Sequence, residues 1–386
     1  MTAQRRIRAA FVRGGTSRAL IFRREELPAA DAERDRIFLA ALGSPDPAGR
    51  QLDGMGGGIS SLSKVAVVGP PSRTDADVDY TFGQVEVTRA FVDYRGNCGN
   101  ISSAIGPFAI DEGLVPAREP ETLVRIHNTN TGKLIHARVP VVGEQAAVRG
   151  DFVLPGVAGT GARIALDFLD PGGAVTGRLF PTGHAREVLD VPGLGPVTVS
   201  LVDATNPVVF VRAKDLGLEG TERPDLLDDN RGLASCLEAI RGAAAERMGL
   251  VADPAEAATR SPAVPKIALV AAPAPFEALD GTRVPAAAVD LVGRVVSMGK
   301  VHRAFALTAA MCLAVAARID GTVVHEAAAH PLPGRAEQDV RLGHPSGVLP
   351  VAARVSHGAG TAPVAQSVTV YRTARRLMDG FVLVPV

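Results

Sequence analysis

The 386-residue sequence has no tryptophan, and all aromatic residues together make up only 4% of the chain. Its cores must therefore be built mainly from the aliphatic side chains within the 46% hydrophobic fraction. An excess of either charge is absent as well, because 41 Lys and Arg residues are balanced by 41 Asp and Glu residues. This balance, without long runs of one sign, argues against a nucleic-acid-binding groove and a polybasic membrane patch.

Cysteine and long apolar runs are also scarce. The three cysteines, Cys98, Cys236 and Cys312, have neither the even number of a disulfide framework nor a metal-ligand spacing. Residues 1–11 lack the apolar stretch of a secretory signal, and the most apolar segment, 304–317, falls short of the roughly 20 residues of a membrane span. We therefore expect a cytoplasmic protein with reduced thiols.

Glycine and proline are abundant, with 41 and 28 residues, which favours many turns and a strand-rich architecture. The pattern predicts strands at 7–12, 19–22 and within 64–92, and a helix at 29–42. Two more helices, both apolar, are predicted at 101–110 and 301–318, after the turns 96–100 and 297–300. Since strands precede and follow each of them, we expect two halves that each wrap a sheet around a central helix.

The chain is long enough for two domains with separate cores. We place the hinge at residues 181–183 and predict an N-terminal half, 1–183, that carries Lys64 and Cys98. The predicted C-terminal half, 184–372, carries Ser297 to His302. The last segment, 373–386, is expected to be a strand that packs back onto the first half.

The turn Gly96-Asn97-Cys98-Gly99-Asn100 is the segment most suggestive of chemistry. A helix N-terminus offers unpaired N–H groups and a partial positive charge, and a cysteine there ionises more readily. Glycine lets a ligand approach the backbone, and asparagine adds side-chain donors. The turn would suit a carboxylate with the thiol above its α-carbon; it would also suit an ordinary turn with a small buried thiol.

Three other segments carry donors for an anion. Lys64 follows a glycine-rich turn, 53–58, and three serines, so it is either a surface lysine or a base or carboxylate anchor tuned by burial. The glycine run could bind an anion through its amides, but it matches neither nucleotide-binding pattern. The loop Arg13–Ser17 and the residues Ser297–His302 are either a plain turn and a plain helix cap, or carboxylate-binding elements.

A metal site is not expected. The pattern His325-Glu326…His330 has one residue more than the zinc motif H-E-x-x-H, and positions i and i+5 lie roughly 140° apart around a helix. No local motif makes Cys98 the nucleophile of a thiol hydrolase.

Taken together, the motifs resemble those of the 2-methylaconitate isomerase (PrpF-like) family over nearly the whole chain. The resemblance is carried by several short motifs in the family's order: Arg13–Ser17, Gly43–Pro47, Gln51–Gly57, Ser63-Lys64, Asp77–Tyr80, Gly96–Asn100, Gly106–Ile110, Ser297–Lys300 with His302, and Gly343–Gly347. The sequence departs from the pattern at Arg18, where relatives commonly carry lysine, which would allow a different substrate preference.

The resemblance implies an α+β fold like that of diaminopimelate epimerase, with two similar domains, each a barrel-like β-sheet wrapped around a central α-helix. It implies that Lys64 and Cys98 are catalytic, that no cofactor is used, and that Ser297 replaces the second cysteine of the epimerase. The substrate-binding residues it implies are Arg13, Gly15, Thr16, Ser17, Gly57, Ser61, Ser63, Asn97, Gly99, Asn100, Ser297, Gly299, Lys300 and His302.

The function implied by the resemblance is a cofactor-independent isomerisation that moves a proton and a C=C bond in an unsaturated tricarboxylic acid. 2-Methylaconitate isomerisation, in the 2-methylcitrate route of propionate breakdown, is favoured by Phe82–Val85 and by Gly96 before Asn97-Cys98. The alternatives are 4-oxalomesaconate tautomerisation and methylitaconate Δ-isomerisation. The sequence leaves open which of Lys64 and Cys98 is the acid and which the base.

The partner expected from these motifs is a small unsaturated di- or tricarboxylate, and the fold suggests a homodimer. Outside enzymes, the alternative is a non-catalytic carboxylate-binding accessory of an aconitase-like enzyme. An amino-acid epimerase is disfavoured because the second thiol is missing.

Overall fold

The computed structural model describes residues 4–297, 299–329, 339–357 and 362–385. The chain forms two compact units, the first from Met1–Asp167 with Tyr371–Val386 and the second from Phe168–Val370. The change of unit at Asp167 differs from the hinge placed at 181–183. The buried Asp203 gives the reason: its carboxylate accepts hydrogen bonds from the amides of Val175 and Thr176, at 2.8 and 2.6 Å, which ties this segment to the second unit.

The first unit is built mainly of strands. They are β1 (Gln4–Gly14), β2 (Ser17–Arg23), β3 (Lys64–Gly69), β4 (Val78–Val85), β5 (Val92–Asp93), β6 (Glu121–Asn128), β7 (Lys133–Val142), β8 (Gln145–Ala146), β9 (Phe152–Val153), β10 (Thr160–Gly161) and β11 (Ile164–Leu169), which crosses into the second unit. Its helices are α1 (Asp31–Leu42) and α2 (Gly99–Asp111). The predicted strands at 7–12 and 19–22 and the helix at 29–42 are thus confirmed.

The order of pairing in the first unit follows from short turns and from two crossovers, which make the pairs β2–β3 and β4–β6 parallel. β1 and β2 form an antiparallel hairpin that closes where Gly14 pairs with Ser17, and Gly15 takes the positive φ of 52° that this turn requires. β3 pairs with β2 in parallel and with β4 in antiparallel orientation. In the second of these pairings Lys64, the first residue of β3, lies opposite Gln84.

The two helices of the first unit cover opposite faces of this sheet. Val65 and Val67 of β3 belong to an apolar cluster that includes Phe38 of α1. Because side chains alternate along a strand, Lys64 points to the other face. That face is covered by α2, which is buried from Gly99 to Ile110 and so presents no polar side to solvent.

The second unit also combines strands with one fully buried helix. Its strands are β12 (Glu187–Val191), β13 (Gly195–Ala204), β14 (Asn206–Arg212), β15 (Lys266–Ala271), β16 (Phe276–Glu277), β17 (Arg283–Val284), β18 (Leu291–Ser297), β19 (Lys300–Val301), β20 (Asp339–His344), β21 (Gly347–Ser356) and β22 (Val364–Arg372), which crosses back into the first unit at Tyr371. Its helices are α3 (Pro224–Asp229), α4 (Arg231–Arg247), α5 (Ala257–Arg260), α6 (Leu307–Ala317) and α7 (Val323–Ala327). Every residue of α6 is buried.

The start of the second buried helix was predicted wrongly. Ser297 and Lys300 do not open a helix; they pair across the hairpin between β18 and β19, and Gly299 has the positive φ of 73° typical of such a turn. The helix α6 begins only at Leu307. Glycine before an apolar run was interpreted as a helix start, whereas here it reverses a strand.

The last strand, β23 (Ala374–Pro385), belongs to the first unit, where it pairs antiparallel with β1 along its whole length. A single residue, Thr373, separates β22 from β23. Residues 371–373 therefore enter the first unit next to the loop between β1 and β2, where the Gly15 amide donates to the Thr373 carbonyl at 2.9 Å. Within the described ranges, no helix is long and apolar enough to cross a membrane.

The close packing of α2 against β7 at Gly106 leads to a prediction about stability. A methyl group at Gly106 would lie 2.7 Å from Cγ2 of Val139, closer than real contacts allow. We expect Gly106→Ala to lower the free energy of unfolding by about 1–3 kcal/mol through overpacking, measured by urea denaturation. The matched control is Gly232→Ala in α4, where the nearest atom is 3.5 Å away. That change should be neutral or slightly stabilising, and equal effects of the two variants would contradict the packing argument.

Candidate active site

Lys64 is held on the α2 side of the sheet by its neighbour on β4. Its side chain is only 7% exposed, and its Nζ donates to Oε1 of Gln84. The Gln84 amide cannot rotate freely, because its Nε2 donates to the Ser60 and Ser63 carbonyls at 3.1 and 2.9 Å. Nζ also lies 5.3 Å from the centroid of the Phe82 ring, a cation–π distance. The amine is therefore positioned before any ligand arrives.

Cys98 stands at the N-terminal end of α2. It is the N-cap residue with an extended backbone, its thiol is half-buried, and its side chain caps no amide. Its carbonyl accepts from the amide and hydroxyl of Ser102, at 2.9 and 3.1 Å. The first-turn amides have no partner within the helix, and the side chain of Cys98 accepts no hydrogen bond from them. This end of α2 therefore offers donors and a partial positive charge to an anion.

Asn100 joins three distant segments beside this helix end. Its Nδ2 donates to Oγ1 of Thr16 at 3.1 Å, and its Oδ1 accepts from Nε of Arg372, also at 3.1 Å. Gly15 has to be glycine here, because a methyl group at that position would lie 2.3 Å from Oδ1 of Asn100. The β1–β2 loop, the start of α2 and the entry to β23 thus meet at one side chain.

Three buried ionisable groups respond to the charge of Cys98. Burial lowers the pKa of Lys64, and the negative charge of an ionised Cys98 raises it part of the way back. Burial also lowers the pKa of Arg372, to about 9, and the same thiolate opposes this shift. Burial raises the pKa of Tyr80 well above its usual value, and the thiolate adds to the rise. Lys64, Cys98, Tyr80 and Arg372 therefore form one electrostatic group.

Arg372, Tyr80 and Gln84 are residues of this group that the sequence alone did not predict. Arg372 lies far from the helix end in sequence, and only the return of the chain into β23 brings it there. Gln84 was noted as part of the segment 82–85, but its contact with Lys64 depends on the β3–β4 register. Tyr80 could have been suspected from strand alternation, since it shares the parity of Phe82 and Gln84.

The glycine-rich turn is organised by a buried glutamine. Gln51 is 1% exposed and has a positive φ of 52°. Its Oε1 accepts from the Gly58 amide at 3.0 Å, and its Nε2 donates to Oγ of Ser63 at 2.7 Å. A methyl group at Gly56 would lie 2.2 Å from Oε1 of Gln51. The main role of the glycines is therefore to let the backbone of the turn approach the Gln51 side chain closely. The buried Ser63 hydroxyl supports the turn by donating to the Val85 carbonyl at 2.9 Å.

The other candidate residues of the first unit lie in different surroundings. Thr16, Gly99 and Asn100 belong to the cluster around the start of α2, and Asn97 accepts from the Ser102 hydroxyl at 3.3 Å. Ser17 is buried, while Gly57 and Ser61 are half-buried in the turn before β3.

Arg13 lines a separate cavity of about 580 Å³ with Arg149 and Arg375, and neither Lys64 nor Cys98 is among the residues that line it. The Nη1 of Arg13 donates to the Gly15 and Thr373 carbonyls, both at 2.9 Å. Burial and the charge of Arg375 lower the pKa of Arg13.

The candidate residues of the second unit lie on the hairpin described above. Gly299 and Lys300 are exposed, and Ser297 is half-buried. His302 is also half-buried, and its Nδ1 accepts from the Ala304 amide at 3.0 Å. None of these four residues belongs to α6. Cys312 lies inside α6, where its Sγ donates to the Val202 carbonyl at 3.4 Å, so it is not a thiol at a helix start.

Thr205 is a strained residue near the start of α6 that no sequence motif indicates. A β-branched residue with a positive φ is uncommon, and Thr205 has a φ of 65°. Its hydroxyl donates to the Thr308 carbonyl of α6 at 2.9 Å.

Metal ligands do not cluster in the described ranges, where no group of three or more His, Cys, Asp and Glu side chains could hold an ion. His330 lies outside the described residues. The arrangement around Cys98 is suited to acid–base chemistry, because a thiol and a buried amine can exchange protons with a bound ligand at the positive end of a helix.

Comparison with known proteins places the whole chain in one family. Residues 4–385 match the family described as PrpF protein. The 3-methylitaconate isomerase of Eubacterium barkeri is 45% identical over 386 residues, covering 100% of this chain and 98% of the relative. The 2-methyl-aconitate isomerase of Shewanella oneidensis is 42% identical over 394 residues, covering 99% and 98%.

Solved structures agree with this placement. The crystal structure of methylitaconate-delta-isomerase has a TM-score of 0.84 at 44% identity, covering 99% of this chain and 96% of that one. A hydroxyproline epimerase from Agrobacterium vitis has a TM-score of 0.55 at 14% identity, covering 100% and 94%, which supports a likeness of fold alone. The fold is thus a mixed α/β fold similar to that of the epimerases, and the chain belongs to the PrpF family of isomerases.

Proposed function

We propose that this protein is a cofactor-independent isomerase of small unsaturated polycarboxylates, with 2-methylaconitate as its substrate. The observation that carries the proposal is the buried amine of Lys64, whose pKa responds to the charge of Cys98 at the N-terminal end of α2. A second candidate substrate is 3-methylitaconate, favoured by the relative with 45% identity. 4-Oxalomesaconate stays as the further alternative from the motifs.

In the proposed reaction, Lys64 and Cys98 share the proton transfers. One of them removes a proton from a carbon conjugated with a carboxylate, and the electron pair spreads into the unsaturated acid as a dienolate. The other returns a proton at the far end of the conjugated system, so that the C=C bond has moved and the formula is unchanged. Amides at the start of α2 stabilise the developing negative charge. The conjugated acid delocalises the negative charge of the dienolate itself, so the proposed reaction needs no cofactor.

The finer architecture is part of the same proposal. We infer that each unit is a barrel-like sheet around its buried helix, α2 in the first unit and α6 in the second, as in diaminopimelate epimerase. Support comes from the complete burial of both helices. A homodimer and the other substrate-binding residues stay predictions.

Turnover tests the reaction directly. We would follow ¹H NMR spectra in D₂O with 2-methylaconitate, 3-methylitaconate, 4-oxalomesaconate and aconitate. The wild type should move the C=C bond of one acid and incorporate deuterium, whereas Lys64→Met and Cys98→Ser should each slow this about 10²–10⁴-fold. Lys214→Met and Cys236→Ser are matched controls outside the site and should retain activity.

The outcomes separate the classes of function. Thermal stabilisation by an acid without turnover or deuterium uptake would point to a carboxylate-binding accessory instead. Racemisation of an amino acid would point to an epimerase. Unchanged rates in both site variants would refute the assigned residues while leaving the isomerase activity in place.

The lowered pKa of Lys64 predicts a pH dependence of stability. In a Cys98→Ser background, which removes the coupled thiol, the folded protein holds Lys64 with a pKa below the usual value of 10.5. Between these two pKa values the unfolded chain binds more protons, so the free energy of unfolding rises with pH. We expect Cys98→Ser to gain stability relative to Cys98→Ser/Lys64→Met as pH rises from neutral to about 10.5. A constant difference in urea denaturation across this range would contradict burial of the amine.

We also propose that Ser297, Gly299, Lys300 and His302 bind a further carboxylate of the substrate. Lys300 is exposed and, within the described ranges, makes no ion pair. Lys300→Ala should raise KM about tenfold with little change in kcat, as expected for loss of a charge-assisted hydrogen bond. Lys214→Ala serves as the exposed-lysine control. An unchanged KM for Lys300→Ala would remove this residue from the site.

A further inference from the structure

Arg372 is a buried cation with no carboxylate partner in the part of the chain described. It is 4% exposed. Its hydrogen bonds go to neutral acceptors, from Nε to Oδ1 of Asn100 at 3.1 Å and from Nη1 to the Tyr371 carbonyl at 2.8 Å. Burying a guanidinium is costly unless a negative charge compensates it. The surroundings of Arg372 should therefore include an anion at some stage of function.

The position of Arg372 makes the need for an anion stronger. Its partner Asn100 lies in the first turn of α2, where the helix itself carries a partial positive charge. A guanidinium beside a helix N-terminus adds a like charge to that end. Lys64, held by Gln84 on the face of the sheet that α2 covers, adds another positive charge when it is protonated. Among the described residues, the side chain that can compensate these positive charges with a negative charge is that of Cys98, the N-cap residue of the same helix.

We propose that Arg372 is a positioning residue that holds Cys98 as a thiolate, so that Cys98 takes the proton from the substrate and Lys64 returns one. This inference rests on the proposed function and assigns the acid and base that the sequence leaves open. The thiolate accepts the proton and becomes a thiol, while the C–H electron pair moves into the conjugated acid. The Lys64 ammonium then protonates the other carbon, and proton transfer from the thiol to the amine restores the starting state.

The groups around Cys98 are consistent with this division of roles. Lys64 of β3 and Arg372 before β23 are cationic, and the start of α2 adds its amides. Tyr80 of β4 is neutral, because its pKa is raised by burial and by the thiolate. Arg372 stays charged through turnover because guanidinium groups do not exchange protons near neutral pH. The Lys64 amine, in contrast, can exchange protons during turnover.

Alkylation of Cys98 tests the proposal without any substrate. We would measure the rate of reaction with iodoacetamide from pH 5 to 10 by peptide mass spectrometry, in the wild type, Arg372→Gln and Arg372→Lys. Removal of a nearby opposite charge should move the pH of half-maximal alkylation upward by about one unit or more. At a pH well below the wild-type midpoint, the Cys98 rate should then fall about tenfold in Arg372→Gln and recover at least partly in Arg372→Lys. Cys236 in α4, in the second unit, is the internal reference thiol.

The sign of the change separates an electrostatic role from a structural one. A merely loosened protein would expose Cys98 and speed its alkylation, whereas loss of the counter-charge slows it. If Arg372→Gln does not fold, Asn100→Asp keeps the arginine and neutralises it with a new carboxylate, and we expect the same upward shift. Profiles that coincide with the wild type in a folded variant, or faster alkylation at pH 7, would overturn the proposal.

The alkylation result is independent of the reaction that the protein catalyses. If no acid is isomerised but the alkylation profile shifts as expected, the proposed function fails while the role of Arg372 toward Cys98 stands. If turnover is found and the profile does not shift, the isomerase stands and Arg372 is a structural residue.

Discussion

The first turn of α2 has amide donors that the helix cannot use, and the burial of the helix along its length keeps most of its surface from water. Cys98 caps this turn without satisfying an amide. Unpaired amide donors at a buried helix end lower the stability of the folded protein, but they favour the binding of an anion. Most of the local sequence serves this one arrangement. Gly99 is the first residue of the helix, and Asn100 links its first turn to Thr16 and Arg372 by hydrogen bonds. Gly106 lets the helix pack closely against β7.

The strand register then decides what meets this helix end. Lys64 and Gln84 are paired on β3 and β4, and alternation puts both on the α2 face while Val65 and Val67 build the apolar core on the other. A shift of one residue would exchange these faces, exposing the valines to α2 and burying the lysine in the aliphatic cluster. The fixed Gln84 amide matters for the same reason, because it gives a buried amine a polar acceptor without adding a negative charge.

Much of the first unit was predictable from sequence because its signals are local. The turn before α2, the strand alternation around Lys64 and the helix at Asp31–Leu42 each depend on neighbouring residues. Arg372 was not predictable, because its place beside Asn100 depends on the return of the chain through residues 371–373. The misplaced start of α6 has another cause. Glycine before an apolar segment is compatible with both a hairpin and a helix cap, and only the pairing of Ser297 with Lys300 decides between them.

The charges of the first unit also bear on the kind of substrate. Among the described residues, the acidic group that opposes the lowering of the Lys64 and Arg372 pKa values is the Cys98 thiol when ionised, and no described carboxylate contributes to either shift. An amino acid would bring an ammonium group to a place already rich in positive charge, where the described residues offer it no carboxylate partner. A polycarboxylate brings the charge that this place lacks. The electrostatics of the first unit thus disfavour an amino-acid epimerase, even though the fold is similar, because the ammonium would add the cost of a further uncompensated cation.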